Sequence, residues 1–491
     1  MLHRARFLTA GLTALALAAP AAHAGINWIA ADGGTTAAPL DWDTAANWTG
    51  GNIPNTITET ATFLDSATGR VVMTPATATS LIAVGLTQSS SAVSRLMLGG
   101  DLILVGGNFT AADRTWNNTS GNADNLVLDL NGHVYNITTG ALPVINGPMT
   151  ITSSAAGGVI KHSLAGNLVV PAGWSGLKVG PNVTLQAEGT VAGKSIAMAT
   201  AGTWDESTTL YISGTATAGV QINSLPTAGI GNLIVGDSTK VNAANLTSVG
   251  TSQALMIVKR DVTLNPSSSN VAAGFAFALD TTEIRVGGNW TDTGVSTAGY
   301  GTKKGVITFN GGAVTPHTVS IDRTGLITNF NVGDSLGVAG YLQLAKDLTT
   351  TGTFLVRGNS RLDVNDQTLA VSKFTGTAGM TLDFAFSDAD SGIVNVTGVL
   401  GSGNLVLPSF TLNLTNIGTW TNGNNLVLFT YAGTQIAAPT ITYDTALYSF
   451  GSVMTDGGQV YLTNFTFIPE PATLVLSGLG ALMILARRKR A

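Results

Sequence analysis

Cysteine is absent from the 491 residues, so no disulfide can staple the chain and no thiolate can act as nucleophile or metal ligand. Charge is scarce as well, at 10% of residues. Setting aside the six basic residues and one acidic residue of the two termini leaves 17 basic against 27 acidic, about −10 with neutral histidines. That balance argues against a nucleic-acid partner. Histidine is nearly missing: only His133, His162 and His317 lie outside the first 24 residues, none near another in sequence. No His-Glu-x-x-His, Gly-x-Ser-x-Gly or phosphate-loop pattern occurs. No convincing amphipathic helix and no long apolar run occur between the termini. Simple disorder is excluded in turn, because 44% of the residues are hydrophobic.

What is abundant is Gly, Thr, Ala, Asn and Ser in short period-two stretches. Leu126, Leu128 and Leu130 alternate with Val127 and Asp129 before Asn131-Gly132; Ile307 and Phe309 flank Thr308 before Asn310-Gly311-Gly312. Leu362 and Val364 flank Asp363, and Met380, Leu382, Phe384 and Phe386 form a fourth series. These read as strands ended by corners where Gly and Asn supply positive φ. Asn-x-Thr triplets such as Asn182-Val183-Thr184 and Asn464-Phe465-Thr466 fit the same pattern of corner then strand. The block Leu104 to Thr110 echoes Arg285 to Thr291, and Gly-Asn-apolar segments at Asn52, Asn108, Asn167, Asn232, Asn289 and Asn404 are spaced by 56, 59, 65, 57 and 115 residues. A unit of that size equals about three solenoid turns on the order of 20 residues each. The expected fold is therefore all-β, a right-handed parallel β-helix (β-solenoid) over residues 80–404, whose core grows along one axis. A string of β-sandwich domains is the alternative, but no Pro- or Ser-rich linker separates the repeats.

Residues 25–79 are expected to form an N-terminal capping module. Trp28, Trp42 and Trp48 read either as a carbohydrate-stacking surface or as a plug over the first coil, and the plug is preferred because an open solenoid end must be covered. The segment Asn47-Trp48-Thr49-Gly50-Gly51 with Pro54 resembles the opening module of autotransporter-associated β-strand repeat proteins. Residues 405–468, rich in Leu, Phe and Tyr, are expected to cap the other end as antiparallel strands.

Both termini carry targeting features. Arg4 and Arg6, an apolar stretch from Phe7 to Ala19 and Ala22-His23-Ala24 form a signal peptide over residues 1–24, cleaved after Ala24. At the other end Pro469-Glu470-Pro471 precedes the apolar stretch Ala472 to Ala486 and the cluster Arg487, Arg488, Lys489 and Arg490. The prolines hold the backbone extended, the apolar stretch suits hydrocarbon, and the cations stay on the cytoplasmic side. Fifteen helical residues rise about 22 Å against roughly 30 Å of hydrocarbon, a gap that snorkelling arginines and local thinning reduce. Residues 469–491 resemble the PEP-CTERM sorting signal of Gram-negative surface proteins, also known as the ice-binding protein C-terminal domain. The resemblance implies that an exosortase is the partner that processes Pro469, Glu470 and Pro471. It also implies that residues 472–486 span the inner membrane transiently and that Arg487 to Arg490 retain the chain there.

No catalytic residues and no cofactor are expected. Asp388 and Asp390, within Asp388-Ala389-Asp390-Ser391-Gly392, carry oxygens that suit structural Ca²⁺, though ordinary Asp-rich turns explain them equally. The overall expectation is a non-enzymatic, exported structural or adhesive protein of the cell surface or extracellular matrix, handled by the secretion machinery and meeting extracellular polysaccharide. A polysaccharide lyase or hydrolase is the first alternative. It needs clustered charge, for which Lys259-Arg260-Asp261 and Lys303-Lys304 are the densest groups. An ice-binding face is the second, on Thr77-Ala78-Thr79, Thr215-Ala216-Thr217 and Thr440-Ile441-Thr442.

Overall fold

A computed structural model describes residues 24–468 apart from 106–114, 139–143, 165–167, 170–175, 190–194, 199–201, 215–219, 237–245, 250–252, 266–274, 295–299, 301, 313, 399–403 and 433–435. Residues 1–23 of the expected signal peptide and residues 469–491, with the expected membrane span, lie outside the described residues. Among the described residues the chain is all-β with short 3-10 turns, and no helix is long and apolar enough to cross a membrane.

Parallel pairing dominates. One sheet runs almost the whole length of the body, with 15 strands among the described residues from Thr79–Leu81 to Ile441–Thr442. A second series is a seven-stranded sheet from Leu40–Asp41 to Thr203–Trp204, whose place in the chain order is then taken by an 11-stranded sheet starting at Leu255–Val258. A third consists of five strands from Ala24–Asn27 to Val144–Asn146 and four from Leu168–Val169 to Leu246–Val249. The chain visits the sheets in rotation, so each strand pairs with one a full circuit later, as a solenoid requires.

The circuit is longer than the sequence suggests. Partner residues are 20 apart at Tyr341 and Arg361 but 35 apart at Ala24 and Glu59. Asn232 and Asn289, one 57-residue unit apart, are separated by two circuits rather than three, through Leu233, Val262 and Trp290. The echo also misaligns: Leu104 lies on the long sheet, whereas Arg285 lies on the 11-stranded sheet. Corners of unequal length cause both differences, since they alter the count per circuit without disturbing strand register.

The core is built as ladders. Leu102, Tyr135, Ile160, Leu185, Leu210, Leu233, Val262, Trp290, Val319 and Leu344 are successive register partners on the long sheet, and all are buried. On the neighbouring sheet Phe330, Phe354 and Phe374 stack at 6.0 and 6.2 Å between centroids. Each rung buries apolar surface worth about 1.5–3 kcal/mol relative to exposure, which replaces the missing disulfides. Val127 and Asp129, expected on the open side of their strand, are buried too, and Arg95 pairs with Asp129 at 3.2 Å.

Corners between the second series and the long sheet interlock. Asn131 (φ 46°) and Gly132 (φ 81°) make the turn, and the Asn131 amide donates to the Leu98 carbonyl of the preceding coil at 3.0 Å. Asn182 (φ 60°) and Asn464 (φ 50°) are left-handed in the same way. Coils approach so closely at these corners that a Cβ on Gly287 would lie 2.4 Å from the Lys259 carbonyl oxygen.

The far end departs from expectation. Phe410–Asn416 and Ile441–Thr442 still continue the long parallel sheet, so the antiparallel region starts beyond residue 405. It comprises Leu426–Tyr431 with Gln459–Leu462, Val453–Asp456 with Gln459–Leu462, and Tyr448–Ser449 with Thr466–Phe467.

Candidate functional site

Three places are candidates, and the first is the N-terminal end. Here 3-10 turns at Ala45–Asn47 and Thr49–Gly51 fold the segment back, so that Trp28 and Trp48 form an antiparallel bridge. Trp28, Trp42 and Trp48 are 2, 0 and 0% exposed, with ring centroids 4.9 Å apart for Trp28–Trp48 and 4.7 Å for Trp42–Trp48. Phe63 packs against all three at 5.5 Å. The Trp48 indole donates to the Trp42 carbonyl at 2.7 Å, and the Trp42 indole to the Pro54 carbonyl at 3.1 Å. Carbohydrate stacking on these rings is overturned by their burial, since no indole face meets solvent.

The second place is a polar ladder on the long sheet that sequence reasoning missed. Gln343, Asp363, Asp383 and Asn413 are successive register partners, flanked by Tyr341 and Arg361. The Gln343 amide donates to Asp363 at 2.6 Å, the Asn413 amide to Asp383 at 2.6 Å, and the Arg361 guanidinium binds Asp383 and lies 4.3 Å from the Tyr341 ring centroid. Burial pushes the Asp363 carboxyl up, and the nearby Asp383 charge adds to it, against the Gln343 bond. Burial likewise raises the Tyr341 phenol. The signal was present as a constant spacing of 20 between Gln343, Asp363 and Asp383. Every carboxylate oxygen of the pair has a donor, as a structural ladder requires.

The charged groups picked from sequence are dispersed. Lys259 donates to the Trp204 carbonyl and Asp261 caps the Asn289 amide N–H, both between coils. Lys303 lies 3.8 Å from Asp280. His133, His162 and His317 stand on different coils, with His162 buried, and among the described residues no three His, Cys, Asp or Glu are grouped to hold a metal. The two Asp388 oxygens accept from the Thr421 backbone N–H and hydroxyl at 2.9 Å each, as in an ordinary turn, and Asp390 lies in the same turn. Thr79 is buried and Thr440 to Thr442 lie near the other end, so these threonines do not align coil by coil; Thr215 to Thr217 lie outside the described residues.

The third place is the exit of the chain. Thr466–Phe467 is the last strand, the Phe467 N–H donates to the Asn422 amide oxygen at 3.1 Å, and the Ile468 N–H donates to the Leu447 carbonyl at 2.8 Å. Phe465 is fully buried against Phe386 and Trp420. Pro469, the first residue of the sorting tripeptide, is thus bonded directly to a residue held in the folded body.

The all-β, parallel-stacked body is thus joined directly to the Pro-Glu-Pro tail. Residues 467–490 match the family model of the PEP-CTERM protein-sorting motif. This motif implies sorting by exosortase and export toward the cell surface. The likeness of the body to autotransporter-associated β-strand repeats is carried by no family match. No curated protein and no solved structure matches the chain. Pro469, Glu470, Pro471 and Arg487 to Arg490 lie outside the described residues.

Proposed function

We propose that the chain is a non-enzymatic structural or adhesive β-solenoid, closed as a right-handed helix, that an exosortase delivers to the cell surface or extracellular matrix. The observation that carries the reading is the sorting motif at residues 467–490, two residues of which belong to the folded body. In this reading residues 472–486 anchor the exported chain in the inner membrane while Arg487 to Arg490 hold it there, until processing at Pro469-Glu470-Pro471 releases the body. Stacked coils with satisfied backbone edges and little charge suit a rod that bears load rather than one that turns over substrate.

Fractionation of cells with and without the exosortase tests it. The chain is expected in the surface or extracellular fraction when the enzyme is present and in the inner-membrane fraction when it is deleted. Equal distribution in both strains contradicts the reading. A hydrolase remains the second reading because Asp363 and Asp383 are direct register partners, and adjacent strands lie about 4.8 Å apart. Sugar release by the wild type but not by Asp363→Asn or Asp383→Asn would select it.

A further inference from the structure

Beside the exit of the chain lies an open cleft of about 380 Å³, within the range of small-ligand sites. Its wall is Trp420, a partly buried indole fixed edge-on against Phe386 at 5.3 Å and Phe465 at 5.4 Å, with its N–H donating to the Phe465 carbonyl at 3.3 Å. Ile393 and Leu426 supply apolar floor, while Ser391, Asn424 and Asn425 supply polar atoms. The Asn425 side-chain amide oxygen accepts from the Asn464 backbone N–H at 3.3 Å, and the side chains of Asn424 and Asn425 are both exposed. The pieces come from two segments, 387–393 and 420–427, locked together by Asp388 on Thr421.

The lining decides the ligand. No Lys or Arg lines the cleft, so an anion has no counter-charge, and the one carboxylate, Asp388, is already engaged by Thr421. A purely apolar ligand would leave the two exposed amides desolvated without partners. What remains is a neutral molecule with an apolar C–H face for the indole and several hydroxyl groups for the amides. We infer that this cleft binds a neutral saccharide, one or two pyranose rings resting on Trp420 with hydroxyls on Asn424 and Asn425. This deepens the adhesive reading by naming what the surface rod holds, and it places the grip against Phe465, two residues before the sorting motif.

The test uses the purified full-length chain in mild detergent, with cellohexaose, isomaltohexaose, mannohexaose and xylohexaose as neutral probes and hexagalacturonate as the anionic one. Saturation-transfer NMR reports binding, and circular dichroism confirms folding. At least one neutral probe is expected to bind, with affinity unchanged by added salt, at least tenfold weaker in Trp420→Ala and about three- to tenfold weaker in Asn424→Ala. Trp420→Phe, which keeps an aromatic wall, is expected to retain part of the binding should Trp420→Ala fail to fold. Failure of all four neutral probes, binding of the anionic probe alone, or binding unaffected by Asn424→Ala and Trp420→Phe overturns the assignment. Because it is made on purified protein, a binding chain that never reaches the surface would defeat the functional reading and leave the cleft assignment standing.

Discussion

The two ends of the parallel-stacked body solve the same problem differently. Both must cover a stack of apolar rungs, and both use aromatic rings. At the start Trp28, Trp42, Trp48 and Phe63 close on one another with no ring face outward. At the finish Phe386, Phe465 and Phe467 gather in the same edge-to-face manner, yet Trp420 keeps one side on a cleft and the chain leaves directly into its sorting signal. The contrast separates sealing from presenting: one end protects the core, and the other carries an open cleft and the sorting signal.

The largest expected effect comes from opening the sealed end. Trp48→Ala should cost about 3–5 kcal/mol, because truncating a buried indole leaves a cavity among rigid neighbours. Coils contact mainly their neighbours, so hydrogen exchange should speed up from residue 24 to about residue 63 and leave 426–467 protected. Uniform loss of protection would show that the ends are coupled.

Next is the buried ion pair of the middle coils, Asp292 and Arg323, 2.9 Å apart and both fully buried beside Tyr300. Arg323→Ala leaves the Asp292 charge unpaired and Asp292→Asn leaves the Arg323 charge unpaired, so each should cost about 3–5 kcal/mol in chemical denaturation. A loss under about 1 kcal/mol in either variant would mean that packing rather than charge governs the site.

Acid should then act with opposite sign in two regions. Near the start, the Ser89 hydroxyl and N–H hold the Asp65 carboxyl below its ordinary value against burial. Its folded value lies under the unfolded one, so its contribution is present above about pH 4 and lost as pH falls through the folded value. Asp363, raised by burial, weakens its coil when ionised, so acidification toward pH 4 should tighten that coil. Site-resolved hydrogen exchange from pH 7 to pH 3 checks both, and Asp363→Asn should abolish the second trend. The same sign at both sites would contradict the assignment.

The smallest effect concerns the exit. Three extended residues reach only about 10 Å, so the body crowds whatever reads Pro469-Glu470-Pro471. Ten Gly/Ser residues inserted between Ile468 and Pro469 should speed processing a few-fold in pulse-chase, whereas slower processing would show that the body helps to present the motif.

Strands, corners and the need for a plug were legible because each has a local cause. Alternation marks a pleated face, and Asn131-Gly132 can only be a corner once its positive φ is needed. Circuit length was not legible, because it depends on how many sheets the chain visits and on corners that tolerate insertion. The polar ladder left a trace, the spacing of 20 that joins Gln343, Asp363 and Asp383, but only where the coils are shortest and most regular. The Trp420 cleft left none. Asp388 and Trp420 are brought together by a coil of irregular length, and each alone reads as an ordinary turn residue.

Intact-mass analysis of the protein recovered outside exosortase-positive cells tests the central claim most directly. Predicted is a single folded body that begins at Gly25 and has lost Arg487 to Arg490. A product that still carries Arg490, or one found with both termini in the cytosol, would contradict it.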